Sequence, residues 1–344
     1  MQGNRFQALD GWRGMSILIV LACHLLPLGP HAWLLNFAAG LLGMSLFFTL
    51  SGFLVTNILI KNQDVVGFLI RRLFRILPLA WLYMAVSLLI YSADMQTWLA
   101  HFLFYANYPP KPFIPHITEH MWSLCVEIHF YLGVALLVAL LKKKGLLLIP
   151  ILCVLITLLR LSQGMYSSVI THFRVDEILT GATLALVLGG HLGNKVRDLM
   201  TRTNFWLIAI LLLISCHPSG GPLNYLRPYF AALLVGISLT NPDKLYTRFL
   251  YHRWLFYVAS ISYALYVVHP LLADTWLGTG DTLLEKYMKR PLLFAAIFLV
   301  AHISTKYYEG PAMRLGKSLS ERWGKKSKPV ADQVSQNGDK INIS

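Results

Sequence analysis

Ten apolar stretches, each about long enough to cross a lipid bilayer, constrain this sequence more than any other feature. A membrane-spanning helix needs about 20 predominantly apolar residues. Apolar residues make up 56% of the 344-residue chain and charged residues only 13%, whereas a soluble domain has about 25% charged residues. The sequence therefore predicts an all-α, polytopic integral membrane protein with about ten transmembrane helices. The predicted spans are residues 12–28, 33–60, 76–92, 122–141, 146–161, 171–190, 204–216, 225–240, 254–273 and 291–307.

The lysines and arginines are concentrated in alternate loops between these spans. The loop after the fourth span holds Lys142, Lys143 and Lys144, whereas the loops after the first, fifth and seventh spans contain neither residue type. Cytoplasmic loops are enriched in Lys and Arg, so the pattern predicts that both termini are cytoplasmic. The loop after the ninth span, with Lys286 and Lys289, departs from it. This topology accounts for most of the net charge of +14 and argues against a nucleic-acid partner.

The apolar spans are predicted to form one domain with a short tail. Residues 1–323 form the membrane-embedded domain, and the polar and basic residues 324–344 are predicted to be a disordered cytoplasmic tail. An apolar stretch at 98–105 is too short to span, so it is predicted to lie at the interface or to re-enter the bilayer. We therefore expect a multi-pass protein of a cell membrane, the bacterial cytoplasmic membrane in particular, with lipids as partners.

Two ionisable residues within the predicted spans are the first candidates for a functional site. His24 lies in the first span and Glu127 in the fourth, at comparable predicted depth, and Arg13 precedes His24 by eleven residues. Eleven helical residues return to nearly the same face about 16 Å further along the axis. Each residue alone has a structural alternative, an interhelical hydrogen bond for His24 and an ion pair for Glu127. Together they predict a site in which a carboxylate orients an imidazole that carries protons.

Six sequence motifs, in order along the chain, resemble those of the acyltransferase-3 family of membrane acyltransferases. The first is Arg13, ten intervening residues and His24. Two departures are Ser45, where many members have an acidic residue, and Ile128, where many have a second Glu. The other five motifs are 47–54 (Phe-Phe-Thr-Leu-Ser-Gly-Phe-Leu), 72–78 (Arg-Leu-Phe-Arg-Ile-Leu-Pro), 122–127 (Trp-Ser-Leu-Cys-Val-Glu), 261–269 (Ile-Ser-Tyr-Ala-Leu-Tyr, then His269) and 309–311 (Glu-Gly-Pro).

This resemblance implies a reaction and a set of partners. It implies transfer of an acyl group, commonly acetyl, from a cytoplasmic acyl-CoA such as acetyl-CoA to a hydroxyl of a glycan, a lipid-linked sugar or a similar acceptor. His24 is then the base or a transient acyl carrier, Glu127 orients or polarises it, and Arg13 contacts the donor. Some members carry an extra extracytoplasmic hydrolase-like domain; this chain is expected to act alone or with a separate partner, and a homo-oligomer is left open.

Other residues are expected to bind the two substrates. Arg72 and Arg75 are three residues apart and therefore share one helical face. A guanidinium group can bond two phosphate oxygens of CoA. Asp10 is expected beside these arginines, at the end of the bundle where the donor binds. For these arginines the alternative is simple anchoring at the cytoplasmic surface. The residues expected at the acceptor end are Trp122, Ser123, Arg160, Asp176, Tyr263 and His269.

Two other functions remain as alternatives. His116, Glu119 and His120 match a zinc-protease pattern, but they lie in a loop that follows two prolines, so no metal is expected. A transporter or flippase of a polar or lipid-linked substrate would also carry polar groups inside its spans. Transporters usually show internal repeats and helices broken in matching halves, and neither feature is visible in the sequence.

Overall fold

The structure, a computed structural model, describes the backbone of residues 2–326 and the side chains of residues 7–323. Over this range the regular secondary structure is entirely helical, and the all-α prediction is confirmed. The α-helices are α1 (Gln2–Leu25), α2 (Leu35–Lys61), α3 (Val65–Ile90), α4 (Met95–Phe102), α5 (Trp122–Leu146), α6 (Ile149–Ser162), α7 (Asp176–Leu188), α8 (Asn194–Arg202), α9 (Phe205–Cys216), α10 (Leu223–Thr240), α11 (Arg253–Ser260), α12 (Ser262–Ala273), α13 (Leu283–Met288), α14 (Arg290–Ser304) and α15 (Gly310–Lys326).

Each of the ten predicted spans is helical, but not every one is a full-length span. Five helical segments are long and apolar enough to cross a membrane by themselves: α1, α2, α3, α5, and α14 running on into α15. Two bent pairs, α8 with α9 at 89° and α11 with α12 at 67°, raise the number to as many as seven. The short stretch predicted at the interface overlaps α4. Of the predicted tail, only the backbone of 324–326 lies within the described residues.

The three remaining predicted spans, α6, α7 and α10, are bound together by buried charges. Arg160 of α6 forms an ion pair with Asp176 of α7. Glu177 of α7 is paired with Arg227 of α10, with 3.0 Å between Oε1 and Nε, and with Arg174, with 3.3 Å between Oε2 and Nε. All five side chains are at most 2% exposed. Because buried charges are costly unless paired, these helices depend on each other.

Helix α2 lies between α1 and α7, and glycines allow close contact between α2 and α7. A Cβ on Gly52 would lie 1.9 Å from the carbonyl oxygen of Ile178, and one on Gly181 would lie 1.9 Å from that of Thr49. Side chains larger than hydrogen would force the two backbones apart. Small residues are the usual means by which membrane helices approach each other. The glycine of the 47–54 motif is therefore a packing residue.

Helices α3 and α12 differ from their predicted forms. Helix α3 begins at Val65 rather than at residue 76, because the Asp64 side chain caps it by accepting a hydrogen bond from the Gly67 amide at 2.9 Å. Arg72 and Arg75 consequently lie within α3, which agrees with the prediction that they share a helical face. The ninth predicted span is broken at Ile261, where Ser262 Oγ donates to the Ala259 carbonyl at 2.8 Å. Serine bonds to nearby carbonyls commonly bend helices.

Candidate active site

An arginine-rich cavity lies where α1, α2, α3 and α5 meet. We call it the arginine pocket and define it by Arg13, Ser51, Arg72, Arg75, Glu127 and Tyr131. Its volume is about 40 Å³, which is room for little more than a water molecule or two. Three guanidinium groups face one carboxylate here, and the net positive charge favours an anionic ligand.

Glu127 is held by residues of the arginine pocket. Its Oε1 accepts hydrogen bonds from Ser51 Oγ at 2.5 Å and from the Tyr131 hydroxyl. Its charge interacts with Arg13 and Arg72. Sequence reasoning missed Ser51 and Tyr131, although Tyr131 follows Glu127 by four residues and therefore shares its helical face.

The arginines of this pocket have different environments. Arg13 lies 3.7 Å from Asp10, one turn earlier in α1. Arg72 lies over the rings of Phe68 and Tyr131, at 6.0 and 5.9 Å from their centroids. The structure thus brings Arg13 and Arg72 together in one pocket, and Asp10 contacts Arg13; their roles in donor binding stay predictions.

A second group of polar residues lies at the C-terminal end of α1. We call it the histidine cluster and define it by His24, His120 and His269. Nδ1 of His24 lies 3.1 Å from Nε2 of His269, and the planes of the two rings differ by 22°, with centroids 5.1 Å apart. The His120 ring meets that of His269 edge-on at 5.5 Å. His24 is exposed, whereas His269 is 1% exposed.

The structure does not bring His24 and Glu127 into contact, which corrects the expected pairing. Glu127 lines the same cavity as Arg13, and Arg13 lies about 16 Å along α1 from His24. The two residues are therefore at different depths. From sequence alone, the depth of each residue in the bilayer is estimated from the predicted end of its own span. Spans can be shifted along the membrane normal relative to each other, so predicted span ends do not determine the relative depth of two residues. His24 has His269 as its partner instead.

Ser123 and Tyr266 support the loop that holds His120. The Tyr266 hydroxyl donates to the His120 carbonyl at 2.6 Å and lies 2.6 Å from Ser123 Oγ, which is fully buried. Tyr266 also stacks on Phe47, with ring centroids 6.2 Å apart. Phe47 lines the arginine pocket, so aromatic rings connect the two groups. His120 and Tyr266 were not predicted as site residues, although both lie in motifs that the sequence shows.

The remaining residues expected at the acceptor end make internal contacts. Trp122 packs beneath the Arg174 guanidinium, 5.2 Å from its ring centroid. The Tyr263 hydroxyl donates to the Ile76 carbonyl at 2.5 Å. Tyr263 also lines the arginine pocket, so the structure places it with the residues expected at the donor end and not at the acceptor end. Arg160 and Asp176 form the fully buried ion pair described above. The acceptor roles of Trp122, Arg160 and Asp176 stay predictions, since these three side chains contact other residues of the bundle.

In the part of the chain that the structure describes, no group of three or more His, Cys, Asp or Glu side chains is arranged to hold a metal ion. His120, which belongs to the zinc-protease pattern, is 7% exposed and directs Nε2 toward the Val267 carbonyl at 3.2 Å.

These features define a helical membrane domain with a cationic pocket near the middle of α1 and an exposed imidazole near its C-terminal end. The family model described as an acyltransferase domain matches residues 6–305. The chain belongs to this acyltransferase-3 family.

Curated relatives align with most of this chain. It is 25% identical to the peptidoglycan O-acetyltransferase OatA of Listeria monocytogenes, over 90% of this chain and 56% of the relative. It is 25% identical to the O-acetyltransferase OatA of Staphylococcus aureus, over 90% and 57%. It is 27% identical to the putative peptidoglycan O-acetyltransferase YrhL of Bacillus subtilis, over 76% and 47%. The chain thus spans about half the length of these relatives. No solved structure matches the chain.

Proposed function

We propose that this protein is a membrane O-acyltransferase that moves an acetyl group from acetyl-CoA to a hydroxyl of a glycan or lipid-linked sugar. The observation that carries the proposal is the position of Arg13 and His24 on one helix. Arg13 lines a cationic pocket, and His24 is exposed eleven residues further along α1. The names of the relatives support acetyl as the group and peptidoglycan as the class of acceptor.

The arginine pocket is the proposed site of the donor phosphates. Arg13, Arg72 and Arg75 line it together, and guanidinium groups bind phosphate oxygens in a bidentate manner. Glu127 and Asp10 would hold Arg13 and Arg72 in place by charge. The pantetheine arm would extend past Phe47 and Tyr266 toward His24. Since the cavity measures about 40 Å³, the helices that line it must separate to admit the arm.

His24 is the proposed reacting residue. Its imidazole takes the proton of the acceptor hydroxyl as the oxygen attacks the thioester carbonyl, and the CoA thiolate leaves. Alternatively, the same ring accepts the acyl group first and passes it on. Both routes need an imidazole that is exposed, as His24 is.

The proposed topology has ten spans with both termini in the cytoplasm. The arginine pocket would then face the cytoplasm, where acetyl-CoA is made, and the histidine cluster would face the acceptor on the outside. Three of the ten spans, α6, α7 and α10, would cross with their charges paired to one another. The protein would reside in the bacterial cytoplasmic membrane.

Reconstituted vesicles with radiolabelled acetyl-CoA on the side of the arginine pocket would test this function. The proposal predicts that label appears on a glycan acceptor supplied on the side of His24. Vesicles without the protein are the control. Uptake of a glycan or lipid-linked sugar with no transfer of label would instead indicate a transporter or flippase and would overturn the proposal.

A further inference from the structure

The His269 side chain is fixed by a carbonyl that a proline leaves free. In a helix the carbonyl of Tyr266 would accept a hydrogen bond from the amide of residue 270, but Pro270 has no amide hydrogen. Nδ1 of His269 lies 2.8 Å from this free carbonyl oxygen and 3.2 Å from that of Leu265. A carbonyl oxygen only accepts hydrogen bonds, so Nδ1 of His269 carries a hydrogen.

This fixed hydrogen determines the state of the second nitrogen. A neutral imidazole carries one hydrogen, so Nε2 of His269 has a free lone pair. The doubly protonated form is disfavoured, because His269 is 1% exposed and a buried charge without a counter-ion is costly. His120, the other histidine packed against the ring, is turned toward the Val267 carbonyl and offers no negative charge.

His24 is then constrained by His269 in turn. Its Nδ1 lies 3.1 Å from Nε2 of His269, which accepts, so Nδ1 of His24 is the donor. The hydrogen of the neutral His24 ring is thereby assigned to Nδ1, and its Nε2 keeps the lone pair. His24 is exposed while His269 is sealed. The exposed His24 ring therefore has its basic nitrogen, Nε2, free to accept a proton. The buried His269 ring keeps His24 in this tautomer.

We infer that His269 is a positioning residue that fixes the tautomer and orientation of His24, and that Pro270 sets this arrangement by freeing the Tyr266 carbonyl. The inference rests on the proposed function. In the step it serves, the acceptor hydroxyl loses its proton to Nε2 of His24 while the new C–O bond forms. The C–S bond breaks and its electron pair leaves on the CoA sulfur, which recovers the proton from Nε2. The bond from Nδ1 of His24 to His269 persists throughout and is stronger while His24 is charged.

This role differs from the acceptor-binding role predicted for His269 from sequence. A residue that is 1% exposed cannot touch a glycan without a rearrangement, whereas its contact with His24 is already made. The sequence indicates this positioning role only through Pro270, which directly follows His269.

Two matched substitutions at position 269 distinguish loss of the hydrogen bond to His24 from loss of side-chain volume. In His269→Gln the amide oxygen can take the place of Nε2 and accept from His24. In His269→Asn the amide can still donate to the Tyr266 carbonyl, but it is too short to reach His24. We expect the Asn variant to lose about 10²-fold in kcat with little change in KM for acetyl-CoA, and the Gln variant to retain most of the rate. Equal losses in both variants would overturn the inference.

Pro270→Ala provides a third test that leaves both histidines in place. The restored amide at position 270 competes for the Tyr266 carbonyl and releases His269. The rate should fall although the variant melts at or above the wild-type temperature, because a helix gains a hydrogen bond. Wild-type kcat in this variant would contradict the role of Pro270.

Nitrogen NMR of isotope-labelled histidine distinguishes failure of this inference from failure of the proposed function. Independently of any acyl transfer, the His24 ring should be a single tautomer with hydrogen on Nδ1 in the wild type and a mixture in His269→Asn. A mixture already present in the wild type would overturn the inference. A single tautomer with no acetyl transfer by the wild type would refute only the proposed function.

Discussion

Individual residues of the candidate site have partners that are distant along the chain. His24 and His269 are 245 residues apart, and Ser51 and Glu127 are 76 residues apart. The motifs predict which residues form the site, because polar groups within apolar spans are costly and need a reason to be there. They did not identify which residue meets which, because that depends on how the helices rotate and slide against each other. The expected pairing of Glu127 with His24 was wrong for this reason.

Replacing Arg72 and Arg75 by Ala should weaken binding of CoA. Each charge-assisted bond that is lost costs about 1.5–3 kcal/mol, so the double variant should raise the dissociation constant by at least about tenfold. Titration calorimetry with the purified protein would measure it.

Arg71→Ala is the matched control for that experiment. Arg71 is adjacent in α3, but its guanidinium donates to Ser320 Oγ in α15 rather than lining the arginine pocket. Its loss should leave CoA affinity unchanged. If all three arginines behaved alike, they would serve as general membrane anchors and not as a donor site.

At the scale of helices, the closest packing and the buried charges govern assembly. Apolar length predicted which stretches are helical, and all ten were. It did not predict that α7 is only 13 residues long and buried along most of its length, because hydropathy does not show whether a helix faces lipid or other helices. The broken ninth span likewise follows from a serine bond that no periodicity reveals.

Gly52→Ala should destabilise the contact between α2 and α7. The new Cβ would lie 1.9 Å from a backbone oxygen, and overpacking of this kind costs about 1–3 kcal/mol. The melting midpoint of the detergent-solubilised protein should fall. Gly133→Ala in α5 is the control, since nothing lies within 4 Å of its Cβ position; an equal fall in both variants would contradict the packing argument.

Glu177→Gln should impair folding more than any surface charge change. Glu177 is fully buried between Arg174 and Arg227, and breaking a buried pair costs about 3–5 kcal/mol. The yield of monodisperse protein should drop sharply. Glu285→Gln removes the exposed partner of Lys289 and should leave the yield unchanged, so a normal yield for Glu177→Gln would show that the buried ion pairs are dispensable.

The whole molecule is a helical bundle that carries a cationic pocket and, about 16 Å further along α1, an exposed imidazole. The alternation of Lys and Arg predicts ten spans, whereas helix length and composition support five to seven. The difference lies in α6, α7 and α10, which are short or charged and pair their charges internally. Sequence therefore predicts the order of helices well and their membrane crossings less well.

Cysteine labelling would test the proposed topology across α6. Lys143→Cys and Gln163→Cys place thiols on exposed positions at its two ends, and the four native cysteines are buried, which keeps the background low. An impermeant thiol reagent added to intact cells should label position 163 and not position 143. Labelling of both or of neither would show that α6 does not cross the membrane.

The most direct measurement of the central claim is the rate of acetyl transfer by a His24→Ala variant in vesicles, compared with the wild type at equal amounts of folded protein. Because His24 is the proposed reacting residue, the account predicts a fall of at least about 10²-fold, with the helical content and the affinity for CoA unchanged. A wild-type rate in this variant would contradict the account.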